Sequence, residues 1–158
     1  MIKKAFLVVL LVVAVLAAVG AVLYSRNVAP VVPAITSADA ANPAKPYVVK
    51  MHAQWCAVCM VTKDEWSQIE RAYAGRVNLV VLDFTNEQKT EASRAEAARL
   101  GLQKFYDEYS GATGMIVVID GRTKDVMTSI IGSRDFAEYR RAIDAALQSS
   151  ESVGSGSR

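Results

Sequence analysis

Both cysteines of this 158-residue chain fall in one short stretch, Cys56-Ala57-Val58-Cys59. That spacing limits what they can do. A disulfide scaffold for a small exported fold needs several cysteines spread along the chain. Closing so short a loop also removes little entropy from the unfolded state, so a bond between these two is a poor staple. The pair therefore reads as reactive. Structural zinc needs four ligands, and the chain offers no second such pair and a single histidine, His52.

The surroundings of the pair place it between a strand and a helix. Tyr47 to Ala53 begins with β-branched and aromatic residues and reads as a strand. Cys59, Thr62/Lys63, Trp66, Ile69 and Tyr73 recur at helical spacing, which predicts one helix from the cysteine motif to about Ala74, stopped by Gly75. Val77 to Thr85 is a continuous apolar stretch, the pattern of a buried parallel strand. Glu87 to Leu100 reads as a helix ending near Gly101, with a short helical piece from Gln103 to Tyr109. Met115 to Asp120 and Asp125 to Ile131 form a hairpin around a turn at 121–124. Ser133 is placed to cap a last helix whose Phe136, Tyr139, Ile143 and Ala146/Leu147 share a face. The order βαβαββα implies an α/β fold: a central mixed four-stranded sheet with parallel neighbours in its first half and helices on both faces.

The chain outside this domain, 47–148, has a different character. Lys3 and Lys4 precede an uncharged apolar run from Ala5 to Tyr24. At about 1.5 Å per residue, ~20 helical residues span the hydrocarbon of a bilayer. A secretory signal has a shorter apolar core and an early cleavage site, whereas Ala38-Asp39-Ala40 lies far beyond the run. Residues 1–24 are therefore expected to be an uncleaved signal anchor, a transmembrane helix. Cations before the span keep the N-terminus in the cytoplasm and export the remainder. The expected location is the inner, cytoplasmic membrane, single-pass, with the domain in the periplasm or an equivalent space. There a dithiol stays reduced only if a membrane electron donor supplies it. Residues 25–46 hold all four prolines and read as an extended linker. The Ser/Gly-rich residues 149–158 read as a disordered tail. The net charge of +2 includes Lys3 and Lys4, so the rest is nearly balanced and argues against a nucleic-acid partner.

A thiol at a helix start lies beside unpaired backbone N–H groups, which favour its thiolate. Cys56 is therefore the expected nucleophile. Cys59, one turn on, is placed to attack the mixed disulfide and release the partner. Trp55 flanks the motif as an apolar docking surface. Neither a cation nor a proline lies between the cysteines, which points to a moderately acidic thiol and a reducing role.

Trp55-Cys56-Ala57-Val58-Cys59 after the strand-like 47–54 (YVVKMHAQ) resembles the thioredoxin superfamily. It is most similar to membrane-bound extracytoplasmic members, such as the C-terminal domain of the reductase DsbD and the anchored thioredoxins of cytochrome c and photosynthetic complex assembly. The resemblance covers about Tyr47 to Leu147. It implies a thioredoxin-like fold with a redox-active disulfide Cys56–Cys59 and no cofactor. Its implied clients are disulfide-containing exported proteins, apocytochrome c among them.

Two positions depart from the family pattern. Thioredoxins carry a cis-proline beside the disulfide. This chain has no proline after Pro46, so Thr113 or Gly114 takes the position, with a trans peptide expected. Thioredoxins also place a buried carboxylate six residues before the first cysteine, where this chain has Lys50. Either Lys50 is buried near the thiols and alters their protonation, or its stem lies on the sheet and its ammonium reaches water. His52 shares that strand face, where it either titrates near the site or packs and hydrogen-bonds. Asp83, ending its strand, has a structural reading. The competing function is soft-metal handling, with Cys56, Cys59 and His52 as ligands suited to Cu(I).

Overall fold

A computed structural model describes residues 41–155. The expected membrane anchor and most of the expected linker lie outside them. Among the described residues no helix is long and apolar enough to cross a membrane.

The central strand is β1, Tyr47–His52. It pairs in parallel with β2, Asn78–Asp83, from Tyr47 opposite Asn78 to His52 opposite Asp83. On its other side it runs antiparallel to β3, Met115–Ile119, which pairs antiparallel with β4, Val126–Ile131. The sheet order β2-β1-β3-β4 is the mixed four-stranded sheet expected. Side chains alternate between its faces. Tyr47, Val49 and Met51 pack with Leu82, Val117 and the residues Ala97, Leu100, Phe105 and Tyr106. These come from or adjoin α3, Glu87–Arg99, and α4, Gln103–Tyr109. Val48 faces the other way, against Trp66, Ile69 and Tyr73 of α2, Lys63–Tyr73, and Tyr139, Ile143 and Ala146 of α5, Phe136–Ser155. Helices thus cover both faces.

Several boundaries differ from the sequence reading. The first predicted helix is two: α1, Ala57–Val61, and α2, with Thr62 between them at φ −102°, ψ 16°. The Thr62 hydroxyl donates to the Val58 carbonyl at 2.9 Å. Such back-bonding by threonine bends a helix. β2 is an edge strand, so Val81 is 45% exposed despite the strand's continuous apolar sequence. The last helix is capped by Asp135, whose carboxylate accepts from the Ala137 amide at 2.9 Å, rather than by Ser133. That helix runs on to Ser155, so residues 149–155 continue it where a tail was expected.

The domain also begins earlier than Tyr47. The Asn78 side chain donates to the carbonyls of Asn42 and Lys45 at 2.9 and 2.8 Å and accepts from the Asn42 amide at 3.0 Å. Lys45 Nζ donates to the Gly75 carbonyl at 2.6 Å. Residues 41–46 therefore pack on the domain instead of belonging to a free linker. Gly121 makes the approach possible, because a Cβ there would run into the Lys45 carbonyl and lie 2.7 Å from that of Pro43.

Candidate active site

β1 ends at His52, and the chain turns through Gln54 and Trp55 into α1. The turn is held from the end of β2. Asp83 accepts from the Thr85 amide at 2.9 Å and from its hydroxyl, and forms an ion pair with Lys89 at 2.8 Å. Ser93 of α3 accepts from the Asp83 amide and donates to its carbonyl, at 2.7 and 3.1 Å. Thr85 in turn receives the Gln54 amide on its hydroxyl at 3.0 Å and the Trp55 indole N–H on its carbonyl at 3.2 Å. Asp83 thus anchors the loop before the cysteines, consistent with its structural reading. Burial pushes its pKa up, but hydrogen bonds from Lys89 and Thr85 outweigh this and hold it below the ordinary value.

Cys56 occupies the cap position of α1 in extended conformation, and its sulfur accepts the Cys59 amide at 3.2 Å. Cys59 sits one turn on, and its thiol points to the Met51 carbonyl at 3.6 Å. Both are free thiols, 7% and 3% exposed. Around them Trp55, Met60 and Val61 are well exposed and Val58 partly so, giving an apolar collar around a recessed sulfur pair.

Their acidities are split. Burial raises the Cys56 pKa, but donation from the Cys59 thiol, the Thr113 hydroxyl and the amides of Cys59 and Val58 prevails, and the net shift is downward. The Cys59 pKa is raised, first by burial, then by its hydrogen bond to Cys56 and by the Cys56 charge. One sulfur is thereby prepared to ionise before the other.

The loop before β3 meets this pair as the resemblance implied, without a proline. Thr113 lies beside the Cys56 sulfur. The Gly114 amide donates to the Met51 carbonyl at 2.9 Å, a bond a proline could not make. Gly114 has φ +85°, and a Cβ there would come within 2.8 Å of Val58 Cβ and 3.4 Å of the Cys56 sulfur. So Thr113 and Gly114 share the position: one faces the thiol, the other clears space for the motif. The peptides of the described residues are all trans, as expected at 113–114. Gly132, beyond β4, also approaches Val58: a Cβ there would lie 3.1 Å from Val58 Cγ1. It was missed in the sequence because only the fold brings residue 132 to the motif.

Lys50 is nearly buried, 9% exposed, with Nζ 5.5 Å from the centre of the Trp66 ring. Burial lowers its pKa, and the Cys59 charge acts to raise it. His52 is half-buried, and its Nδ1 is sealed from solvent without a hydrogen-bond partner among the described residues, so within them it packs but does not form the hydrogen bond one reading expected. Burial and the Lys50 charge lower its pKa, opposed by Asp83. Among the described residues no three of His, Cys, Asp and Glu come together as a metal site. The ligand set Cys56, Cys59 and His52 does not form.

A four-stranded mixed sheet carrying a two-thiol motif where its first strand turns into a helix is the thioredoxin-like oxidoreductase fold. The thioredoxin family model matches residues 29–116, more than half of the chain, and the chain belongs to the thioredoxin family. Among solved structures, it is similar to a thioredoxin-family thiol:disulfide interchange protein from Chlorobium tepidum TLS at 23% identity. That match covers 66% of this chain and 81% of that one, with a TM-score of 0.44. It is also similar to thioredoxin O2 from Arabidopsis thaliana at 15% identity, covering 67% and 78%, with a TM-score of 0.42. A third is Fasciola hepatica thioredoxin at 15% identity, covering 65% and 82%, with a TM-score of 0.43. No curated protein matches the chain.

Proposed function

We propose that this chain is a membrane-anchored thiol–disulfide oxidoreductase that reduces disulfides of exported proteins. The observation that carries the chemistry is the geometry of two adjacent thiols: Cys56 caps α1 and accepts the Cys59 amide at 3.2 Å, Cys59 lies one turn on, and both are recessed under an exposed apolar collar, with the Cys56 pKa lowered and the Cys59 pKa raised. Cys56 attacks one sulfur of a client disulfide as thiolate; the client S–S bond breaks, its other sulfur leaves with the electron pair, and a Cys56–client mixed disulfide remains. Cys59 then attacks Cys56, the Cys56–client bond breaks, and the client sulfur leaves with the electron pair. The client gains two electrons and the protein keeps the Cys56–Cys59 disulfide. Trp55, Val58 and Met60 offer the apolar surface on which a client segment rests.

The anchoring half rests on the uncharged run 5–24 behind Lys3 and Lys4. In this reading the domain faces the periplasm, a membrane donor returns electrons to the pair, and apocytochrome c is one candidate client. The reducing direction rests on the Ala57-Val58 spacer, which carries no charge to stabilise a thiolate strongly.

Trapping tests the reading. Cys59→Ala in membranes should accumulate mixed disulfides on Cys56, and Cys56→Ser should abolish them. Absence of any adduct would sink the exchange chemistry. A reduction potential near the ~−120 mV of strong oxidants, rather than below about −200 mV, would reverse the proposed direction. A thiol reagent that cannot cross membranes should label Cys56 once the outer layer of the cell is opened; protection from it would overturn the orientation.

A further inference from the structure

Trp55 is exposed and yet tied in place. Its ring is 65% exposed, so packing covers little of it, but the indole N–H donates to the Thr85 carbonyl at 3.2 Å. The Gln54 amide, one residue back, donates to the Thr85 hydroxyl at 3.0 Å. Thr85 therefore holds both the backbone that enters Trp55 and the ring itself. Asp83 holds Thr85 in turn: its Oδ1 accepts the Thr85 amide at 2.9 Å and the Thr85 hydroxyl. The other carboxylate oxygen, Oδ2, is held by Lys89 Nζ at 2.8 Å. Lys89 stands in the first turn of α3, where a cation opposes the helix dipole. The start of that helix is served without the ammonium, by Glu87 and by the Asn86 side chain, which accepts the Lys89 amide at 2.9 Å. What the Lys89 ammonium gains is the Asp83 carboxylate.

We propose that Lys89 and Asp83 are positioning residues: acting through Thr85, they hold the Trp55 ring as a preformed platform for the client segment that brings its disulfide to Cys56. The inference rests on the apolar collar as the docking surface and names what keeps that surface in shape. The role is in binding, not in electron transfer. A freely turning side chain must be immobilised as a client arrives, which weakens binding. A ring already tied by its N–H avoids that loss. An indole suits the task, since its polar edge is satisfied while its apolar face stays open. The favoured client class follows. A segment with an aromatic residue beside its disulfide gains from a fixed ring, whereas a small polar disulfide gains little.

The test compares two disulfides on the full chain: oxidised glutathione, and a synthetic disulfide peptide with an aromatic residue next to its cysteine. Lys89→Met and Thr85→Val should raise KM for the peptide about fivefold, the scale of one immobilised side chain, with kcat within about twofold. The rate with oxidised glutathione and the reduction potential of the pair should stay unchanged, which a general loosening of the motif would not allow. Thr85→Ser keeps the hydroxyl and should keep the normal KM. The Trp55 indole N–H, identified in NMR spectra by its loss in Trp55→Phe, should exchange with solvent faster in Lys89→Met and Thr85→Val. An unchanged peptide KM or indole exchange rate in both variants, or a matching loss with glutathione, overturns the proposal. Trp55→Ala with a normal peptide KM would instead overturn the docking role of the collar. An unsubstituted protein that reduces neither disulfide would overturn the oxidoreductase reading.

Discussion

The Cys59 amide donates to the Cys56 sulfur at 3.2 Å, so the backbone that carries the second thiol also stabilises the thiolate of the first. This works because Cys56 occupies the cap position, where helix N–H groups have no partner of their own. Thr113, on a loop 57 residues further along the chain, also lowers the Cys56 pKa.

Thr113→Val keeps the shape and removes the hydroxyl. A hydrogen bond to a charged acceptor contributes ~1.5 kcal/mol, about tenfold. Alkylation of Cys56 below its pKa should slow by about that factor, with unfolding by urea unchanged. Equal alkylation rates across pH 6–9 would show that Thr113 does not tune the thiol.

Gly114→Ala meets two obstacles: φ +85° and overlap with Val58. The variant should lose ~2 kcal/mol or more, the left-handed backbone contributing ~1 of it. Val58→Ala in the same chain should return the steric part and leave the backbone part. Two losses that simply add in this double-mutant cycle would contradict the contact.

Asp83→Asn tests the loop anchor through pH. The folded pKa of Asp83 lies below its unfolded value. Its contribution is therefore present above the unfolded pKa and lost as pH falls through the folded one. At pH 7 the variant should be less stable by about 1 kcal/mol, a figure already reduced for solvent screening of a partly exposed pair. Urea titrations at pH 7 and pH 2 should show this gap closing in acid; a constant gap would assign the loss to packing.

Gly121→Ala places a methyl group against the carbonyls of Lys45 and Pro43. The expected result is release of residues 41–46, read as new protease cleavage before Tyr47, with the β1–β3 pairing retained. Resistance equal to that of the unsubstituted protein would refute the close approach.

The sequence alone determined the reactive pair, the order of the strands and the helical segments between them, because these depend on spacing, alternation and propensity within a dozen residues. It also marked Lys50 and the proline-free 111–114 loop as departures from the family, without deciding what either does. The tertiary structure decided those points. It placed Lys50 over Trp66 within the field of Cys59, brought Thr113 and Gly114 together against the motif, and left His52 Nδ1 without a partner among the described residues. It also moved the domain start back to the 41–46 segment, through Asn78 and Gly121. Each of these joins residues from about 16 to more than 70 positions apart, or depends on how much water a covered sheet face retains. A local pattern carries neither kind of information; only the packed sheet and its helices do.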